Sequence, residues 1–252
     1  MSAKNQAQTK FYSGQGIVLL SARDANGKAT GFRNVGNVSD LKLTLKTSVA
    51  EHKESSTGQR GIDKRLTTEV GCDVSMTLDS FDKENLAVAL RGTTAAVVSG
   101  TVASETITAK LGYTLPLAHI GVNTVVVKKG ATSLTDGTDY TVNPEVGSIN
   151  ILTTATGCVD ADALTVSYKY DAQETIDAFT APDTDVWVRF EGMNTADGNK
   201  AVVVDIFRFS ANPLKELVLI NDKLGTITLE GSAMTDLTKT SGSQYFRETR
   251  LA

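Results

Sequence analysis

Two histidines and four clustered aspartates are the side chains of this 252-residue sequence that could do catalysis or hold a metal. His52 lies in a charged segment and His119 lies far away in the stretch LPLAHIG. No HExxH, CxxC, GxSxG or phosphate-loop pattern accompanies either of them. We therefore interpret His52 as a solvated residue and His119 as a residue at a strand end, and no catalytic residue is predicted.

The aspartates lie in turns of the middle of the chain, at Asp136, Asp139, Asp160 and Asp162. Carboxylates in turns can bind calcium, but the spacing of an EF-hand loop is absent. Ordinary hairpin turns are the favoured interpretation. The Gly14-Gln15-Gly16 stretch lacks the third glycine and the following helix of a dinucleotide site. The sequence thus predicts neither a metal nor a cofactor.

The two cysteines are predicted to be buried free thiols. Cys72 is in phase with the apolar side of a strand, and Cys158 lies in a different context far along the chain. Unpaired, separated cysteines are typical of a protein folded in a reducing cytoplasm. No run of about 18 apolar residues is present, and the first sixteen residues lack the apolar core of a secretion signal. Neither membrane insertion nor secretion is predicted.

Charge is spread unevenly along a chain of net charge −4. Residues 1–92 carry 13 basic and 10 acidic side chains, residues 93–180 carry 4 and 9, and residues 181–252 carry 8 and 10. No segment is basic enough to predict a grip on nucleic acid. Arg60, Lys64 and Arg65 could form a small phosphate-binding patch, but they lack aromatic partners for bases. A contact between proteins is the favoured role for this charged segment.

Residues 38–92 organise the chain. A strand is predicted over 38–47, with Leu41, Leu43 and Leu45 facing a core and Lys42, Thr44 and Lys46 on the opposite face. A long polar loop follows over 48–65. A second alternating strand runs through Cys72 to Leu78, and a helix over 80–91 ends at Gly92, with Ser80 or Asp79 as its N-cap.

The middle of the chain has a different composition, rich in Ala, Thr, Val, Gly and Ser. Turn signals recur every eight to twelve residues, which favours a small all-β sandwich inserted over 100–177. Its predicted strands are 107–114, 124–129, 140–143, 148–152 and 164–170. The first composition returns afterwards.

The outer parts of the chain also carry strand and turn patterns. A polar arm over residues 1–15, ordered only against a neighbour, is followed by short strands at 16–20 and 27–35. After the insertion, strands are predicted at 186–192 and 200–210, with a hairpin of 214–220 and 226–231 and a polar tail. The predicted domains are therefore 1–99 and 178–252 around the insertion at 100–177.

The order of these elements resembles that of the major tail tube proteins of long-tailed bacteriophages. The resemblance covers about residues 1–95 and 183–240, including the terminal stretch LKELVLINDKLGTITLEG. The middle stretches DGTDYTVNPEVGSINI and LTVSYKY are similar to Ig-like or decoration-type modules of phage virion proteins. The fold this implies is mainly β: a sandwich or partial barrel with one flanking helix, plus an inserted small β-sandwich on the exterior.

The resemblance also implies an assembly without enzymatic activity. Six copies form a ring, and rings stack into a tube through which DNA passes without specific binding. Tail terminator, tail tip and tape measure proteins are the implied partners, and the implied location is the virion tail, after assembly in the bacterial host cytoplasm. The resemblance implies that the loop at 48–66 makes the contacts between rings. Its contact residues are Glu51, Lys53, Glu54, Arg60, Asp63, Lys64 and Arg65. The polar face towards the lumen or a subunit boundary comprises Lys42, Thr44, Lys46, Asp205 and Arg208.

Two other functions stay open at this point. One is a different phage or pilus-like adhesive protein in which the module at 100–177 binds a ligand on a host surface. The other is an enzyme of a type that the sequence does not reveal. Tandem modules would be typical of an adhesin, whereas here the first composition resumes after the insertion.

Overall fold

The computed structural model describes residues 10–183 and 185–251, in which it shows seventeen strands and one helix. The prediction of a mainly β fold with one helix is confirmed. Residues 1–9 of the predicted N-terminal arm lie outside the described residues. In chain order the elements before the middle of the chain are β1 (Gly14–Ala22), β2 (Arg33–Asn34), β3 (Val38–Lys53), β4 (Ile62–Leu78), α1 (Lys83–Leu90) and β5 (Thr93–Val97).

The chain divides into two compact units, one of Met1–Thr93 with Ile176–Ala252 and one of Thr94–Thr175. The sequence placed these boundaries at 100 and 177. The middle elements are β6 (Gly100–Thr108), β7 (Thr114–Pro116), β8 (Val122–Lys129), β9 (Thr132–Ser133), β10 (Tyr140–Asn143), β11 (Ser148–Ile151), β12 (Ala163–Tyr170) and β13 (Gln173–Asp177). The last elements are β14 (Val186–Asn194), β15 (Lys200–Ala211), β16 (Ile227–Ala233) and β17 (Phe246–Arg250).

An antiparallel sheet builds the unit of residues 1–93 and 176–252. Its strand order is β2-β1-β14-β15-β16-β4-β3, and β17 pairs with β15 beside β16. Alternate residues of β4 from Cys72 to Leu78 are buried, as a strand with one face on a core requires. They pack with Ile227 and Leu229 of β16, with Val18 of β1 and with Phe209 of β15.

The helix α1 is shorter than predicted, because its N-cap is Asp82 and not Ser80 or Asp79. The Asp82 carboxylate accepts a hydrogen bond from the Asn85 backbone N–H at 2.8 Å. The C-cap Arg91 is left-handed, and the Gly92 N–H donates to the Ala87 carbonyl. Asn85 lies on the buried face of the helix, where its side-chain amide donates to the Val35 carbonyl at 2.8 Å.

The unit of residues 94–175 has two sheets around its own core. One sheet has the order β10-β11-β7 and the other has the order β6-β12-β8-β9. Ile149 of the first sheet and Val127, Leu164 and Tyr168 of the second belong to one buried cluster. The predicted strand over 107–114 is wrong, since β6 ends at Thr108 and β7 begins at Thr114. Gly112 adopts a positive φ between them, which turns the chain.

Three predictions for the larger unit are wrong. Most of the predicted loop at 48–65 is strand, since β3 continues to Lys53 and β4 begins at Ile62. The predicted strand at 214–220 is irregular, because the described residues offer it no neighbouring strand. Of the predicted strand over 27–35, only Arg33–Asn34 is a strand, β2.

Candidate assembly surface

The hairpin of β3 and β4 extends far beyond the sheet that anchors it. Its two strands pair from Val38 opposite Leu78 to Lys53 opposite Ile62. The neighbouring strand β16 covers β4 only from Cys72 to Leu78. Residues 46–53 and 62–71 therefore form a two-stranded ribbon, which we call the arm. Eight residues of β3 make it about 26 Å long at the usual rise of about 3.3 Å per residue.

The arm is bare on both faces. Every residue over 44–53 and 55–70 is exposed. Val49 and Ile62 are apolar on the face that continues the core side of the sheet, and Leu66 is 61% exposed on the other face. Leu45, predicted to face the core with Leu41 and Leu43, is also exposed at the base of the arm. An isolated two-stranded ribbon is at best marginally stable in water. We therefore expect the arm to be stabilised by packing against another chain.

The predicted contact residues come together on the outer half of the arm, on strands and a tight turn. Arg65 contacts Glu51 across the strands at 3.1 Å, and His52 contacts Asp63 at 2.6 Å. Among the described residues, Lys53, Arg60 and Lys64 form no ion pair. Opposite charges at facing positions support the register of the two strands.

The turn at the tip of the arm is closed around Glu54. Its backbone N–H donates to the Gly61 carbonyl at 2.8 Å. The Thr57 hydroxyl, the Thr57 backbone N–H and the Ser56 hydroxyl donate to the Glu54 carboxylate, which lowers its pKa to about 2. Arg60 and Gly58 adopt positive φ values that complete the reversal.

The predicted polar face separates into two parts. Lys42, Thr44 and Lys46 alternate along β3 on the exposed face, with Lys42 near Asp40 at 2.6 Å and Lys46 paired with Asp73. Two strands, β4 and β16, separate them from β15, which carries the other two residues.

Asp205 and Arg208 are half-buried and form ion pairs within the unit. Both oxygens of the Asp205 carboxylate lie 2.9 Å from Nη1 of Arg189. Arg208 contacts Asp185 at 2.5 Å. Glu191 and then Asp205 raise the pKa of Arg189 by holding its charged form. Asp205 and Arg208 are therefore held in half-buried pairs, whereas Lys42, Thr44 and Lys46 lie exposed on β3.

A second apolar surface is formed by the connection that follows β15 and precedes β16 in the chain. It was not anticipated from the sequence. Residues 214–225, which we call the apolar segment, contain no strand or helix. Leu219, Ile220 and Leu224 are 83%, 95% and 97% exposed. Its base is fixed, because the Leu214 N–H donates to the Ala89 carbonyl at 2.7 Å. The sequence signal was the run of four apolar residues at 217–220, which the pattern placed in a strand.

The candidates for chemistry each have a local structural role. The Asp139 carboxylate accepts three backbone N–H groups, from Thr135, Thr156 and Gly157, at 2.9 to 3.0 Å. The N–H of Thr135 and then that of Gly157 lower the pKa of Asp139. His119 stacks on Tyr170 with ring centroids 3.7 Å apart. No group of three or more metal-binding side chains occurs in the described part of the chain.

The GxG stretch is part of strand β1. A Cβ at Gly16 would lie 2.3 Å from the carbonyl oxygen of Glu191 on the paired strand β14, so close approach of the backbones requires glycine there. Over 10–183 and 185–251, the structure has no helix of the length and apolar character needed to cross a membrane.

These features define a mainly β protein whose main sheet carries a protruding hairpin arm, with a second β unit in the middle of the chain. The chain belongs to the family described as protein of unknown function UCP028589, whose model matches residues 11–249. The match spans both units. No curated protein matches the chain.

Proposed function

We propose that this chain is a structural subunit of a bacteriophage tail tube, which self-assembles into stacked hexameric rings that conduct DNA. The observation that carries the proposal is the arm, a ribbon about 26 Å long that is bare on both faces. A long exposed strand edge recruits other strands unless it is covered. Assembly with further copies of the chain covers both the edge and the faces.

The outer edge of β3 supports a ring. Strand β3 ends the sheet, and among the described residues no strand pairs with its outer side. Closing strands around a ring removes such edges, as a β-barrel does within one chain. The number six comes from the resemblance to tail tube proteins. The arm then reaches the adjoining ring, which is the role that the resemblance gave to residues 48–66.

The charges of the arm suit a contact between proteins. The arm carries both acidic and basic side chains, and Glu51 faces Arg65 across its strands. Mixed charge selects one register between partners, whereas a phosphate grip calls for uniformly basic groups. In this proposal DNA passes through the lumen without specific binding.

The remaining parts of the proposal follow from the same resemblance. The unit of residues 94–175 has its own core and two sheets, which suits a domain displayed outside the tube. The tube is capped by a terminator and built on tail tip and tape measure proteins. It belongs to a virion tail assembled in the cytoplasm of the host, and it has no enzymatic role.

Electron microscopy of the purified protein at increasing concentration tests the proposal. Hexameric rings or tubes with a central channel are expected. A monodisperse monomer with no polymer at high concentration contradicts the proposal. In that case the adhesive alternative is tested by measuring binding of the chain to host cells, with a chain lacking residues 94–175 as the control.

A further inference from the structure

The apolar segment has the composition of a strand, and its large apolar side chains are exposed, as on a surface that binds another protein. It reads LKELVLINDKLG, and it contains the longest run of consecutive exposed large hydrophobic residues in the described chain, at 217–220. Single exposed apolar side chains are normal, whereas a contiguous group marks an interaction site. Because successive side chains of a strand point to opposite faces, four consecutive apolar residues give a strand two apolar faces. Such a strand is typically covered on both faces.

A groove in the same unit lies beside the free edge of β3. It has a volume of about 850 Å3 and is bordered by Ser39 and Asp40 of that edge. The apolar side chains that line it are Val18, Val38, Leu41, Leu43, Phe190, Val204 and Ile206. These belong to the core side of the sheet, so the groove is a part of the core that is open to solvent.

Backbone groups on both sides of the groove lack partner strands. In the described residues, β3 pairs only with β4, and residues 14–17 of β1 pair only with β14. The groove is thus bounded by two strand edges, and its lining combines these apolar side chains with the charged Glu248 and Arg250. An added strand can hydrogen-bond to such an edge while alternate side chains fill the pockets beneath it.

We infer that residues 214–220 of one copy add as a strand to the β3 edge of a second copy, over residues 38–43. Alternate side chains of the run enter the groove, and the others face outward to a neighbour. This inference rests on the proposed function, because it names the contact through which the ring closes. A second copy is the occupant because each chain carries both complementary parts, an exposed apolar run and, over the described residues, a strand edge without a partner.

Cross-linking between two different chains tests this contact. One chain carries Ser39→Cys and the other carries Leu219→Cys, and they are mixed, assembled and treated with a short bismaleimide. The native Cys72 and Cys158 are buried, so they do not compete. A dimer yield at least about tenfold above that of a control mixture is expected. The control pairs Leu219→Cys with Val159→Cys, an exposed position in the unit of residues 94–175. Equal yields from the two mixtures overturn the inference.

A pair of matched substitutions provides a second test. Leu219→Asp is expected to raise the concentration needed for assembly at least about tenfold, because one Leu side chain no longer transfers from water. Leu237→Asp replaces another exposed leucine of the same unit and is expected to change it less than about threefold. Circular dichroism of both variants checks that the fold is retained.

Hydrogen exchange separates this inference from the proposed function. Amides at 217–220 are expected to exchange at least about tenfold more slowly in wild-type tubes than in free subunits. Normal tubes in which these amides exchange as fast as in free subunits overturn the inference and leave the tube proposal standing. Failure of the wild-type chain to form rings or tubes overturns the proposed function and this inference with it.

Discussion

Shortening the arm separates folding of the subunit from its assembly. Ser48 and Glu69 face each other across the hairpin, so replacing residues 49–68 by Asn-Gly gives a two-residue turn at an existing pair. The variant retains the part of the hairpin that β16 and the core stabilise. We expect a folded subunit that no longer forms tubes.

The cost to folding is small. The removed side chains are exposed, apart from half-buried Glu54, and the ion pairs lost with them lie at the surface, where they add little. Reducing a 20-residue connection to two residues lowers the entropic free-energy cost of closing the loop by about 2 kcal/mol, because that cost scales as (3/2)RT ln n with the number of residues n. The free energy of unfolding of the dissociated subunit is therefore expected to equal that of the wild type or to exceed it by up to about 2 kcal/mol.

The cost to assembly is large. About half of the surface of Val49, Ile62 and Leu66 is still exposed, so burying each side chain against a neighbour stabilises an interface by about 1 kcal/mol. Loss of all three weakens the contact by about 3 kcal/mol, which is about a hundredfold in dissociation constant.

Urea unfolding at low protein concentration measures the first quantity, and sedimentation with electron microscopy measures the second. A control replaces only the tip, residues 55–60, by Asn-Gly between the hydrogen-bonded Glu54 and Gly61. It retains both strands of the arm and is expected to assemble. The reasoning is refuted if the chain without residues 49–68 forms tubes of normal length.

Three further predictions concern the rest of the chain. Asn85→Ala is expected to lower the free energy of unfolding by about 1 to 3 kcal/mol in urea titrations, because the buried carbonyls of Val35 and Ser80 lose a donor; an unchanged midpoint contradicts this. Asp139→Asn is expected to cost a similar amount at pH 7 in thermal scans. Since the native pKa of Asp139 is lowered, its contribution is complete above about pH 3.9 and is lost as pH falls through the native pKa, so scans of the two proteins should converge in acid. Joining Thr93 to Ile176 by a Gly/Ser bridge is expected to leave tubes visible by electron microscopy, and their absence would place residues 94–175 in the wall.

The parts of the fold with one buried face could be predicted from the sequence. Cys72, Val74, Met76 and Leu78 alternate with polar residues because β4 has a core on one side there, and all four are buried. The helix was anticipated, with Gly92 ending it, because capping uses local backbone chemistry. Its start was misplaced by about one turn, since Ser80 and Asp82 are both acceptable caps and only packing selects between them.

The arm could not be predicted because neither of its faces meets a core. The periodicity that identifies a strand arises from burial of one face, and a ribbon exposed on both faces has the composition of a loop. The facing charges of Glu51 and Arg65 were the available signal, and they become readable only once the register is known.

The apolar segment was mispredicted for the opposite reason. Its pattern is that of a strand, but a strand forms only beside another strand, and the described part of the chain provides none at 214–220. Of the seven contact residues assigned from the resemblance, five lie on the arm, and Glu54 and Arg60 lie in the turn at its tip. Of the polar face, only Lys42, Thr44 and Lys46 share an exposed strand, because alternation along β15 does not reveal that Asp205 and Arg208 have internal partners.

The apolar segment and the edge of β3 also limit the symmetry of the assembly. The donor is the apolar segment at 214–220, and the acceptor is the edge at 38–43, so the interface joins two different patches. Such a heterologous contact repeats from copy to copy, and it closes as a ring or continues as a filament. A two-fold dimer cannot be built from one such contact, because one copy still has its acceptor free and the other still has its donor free. Sedimentation velocity over a range of concentrations is therefore expected to show monomers and large rings with no stable dimer. A dominant dimer would contradict a head-to-tail contact.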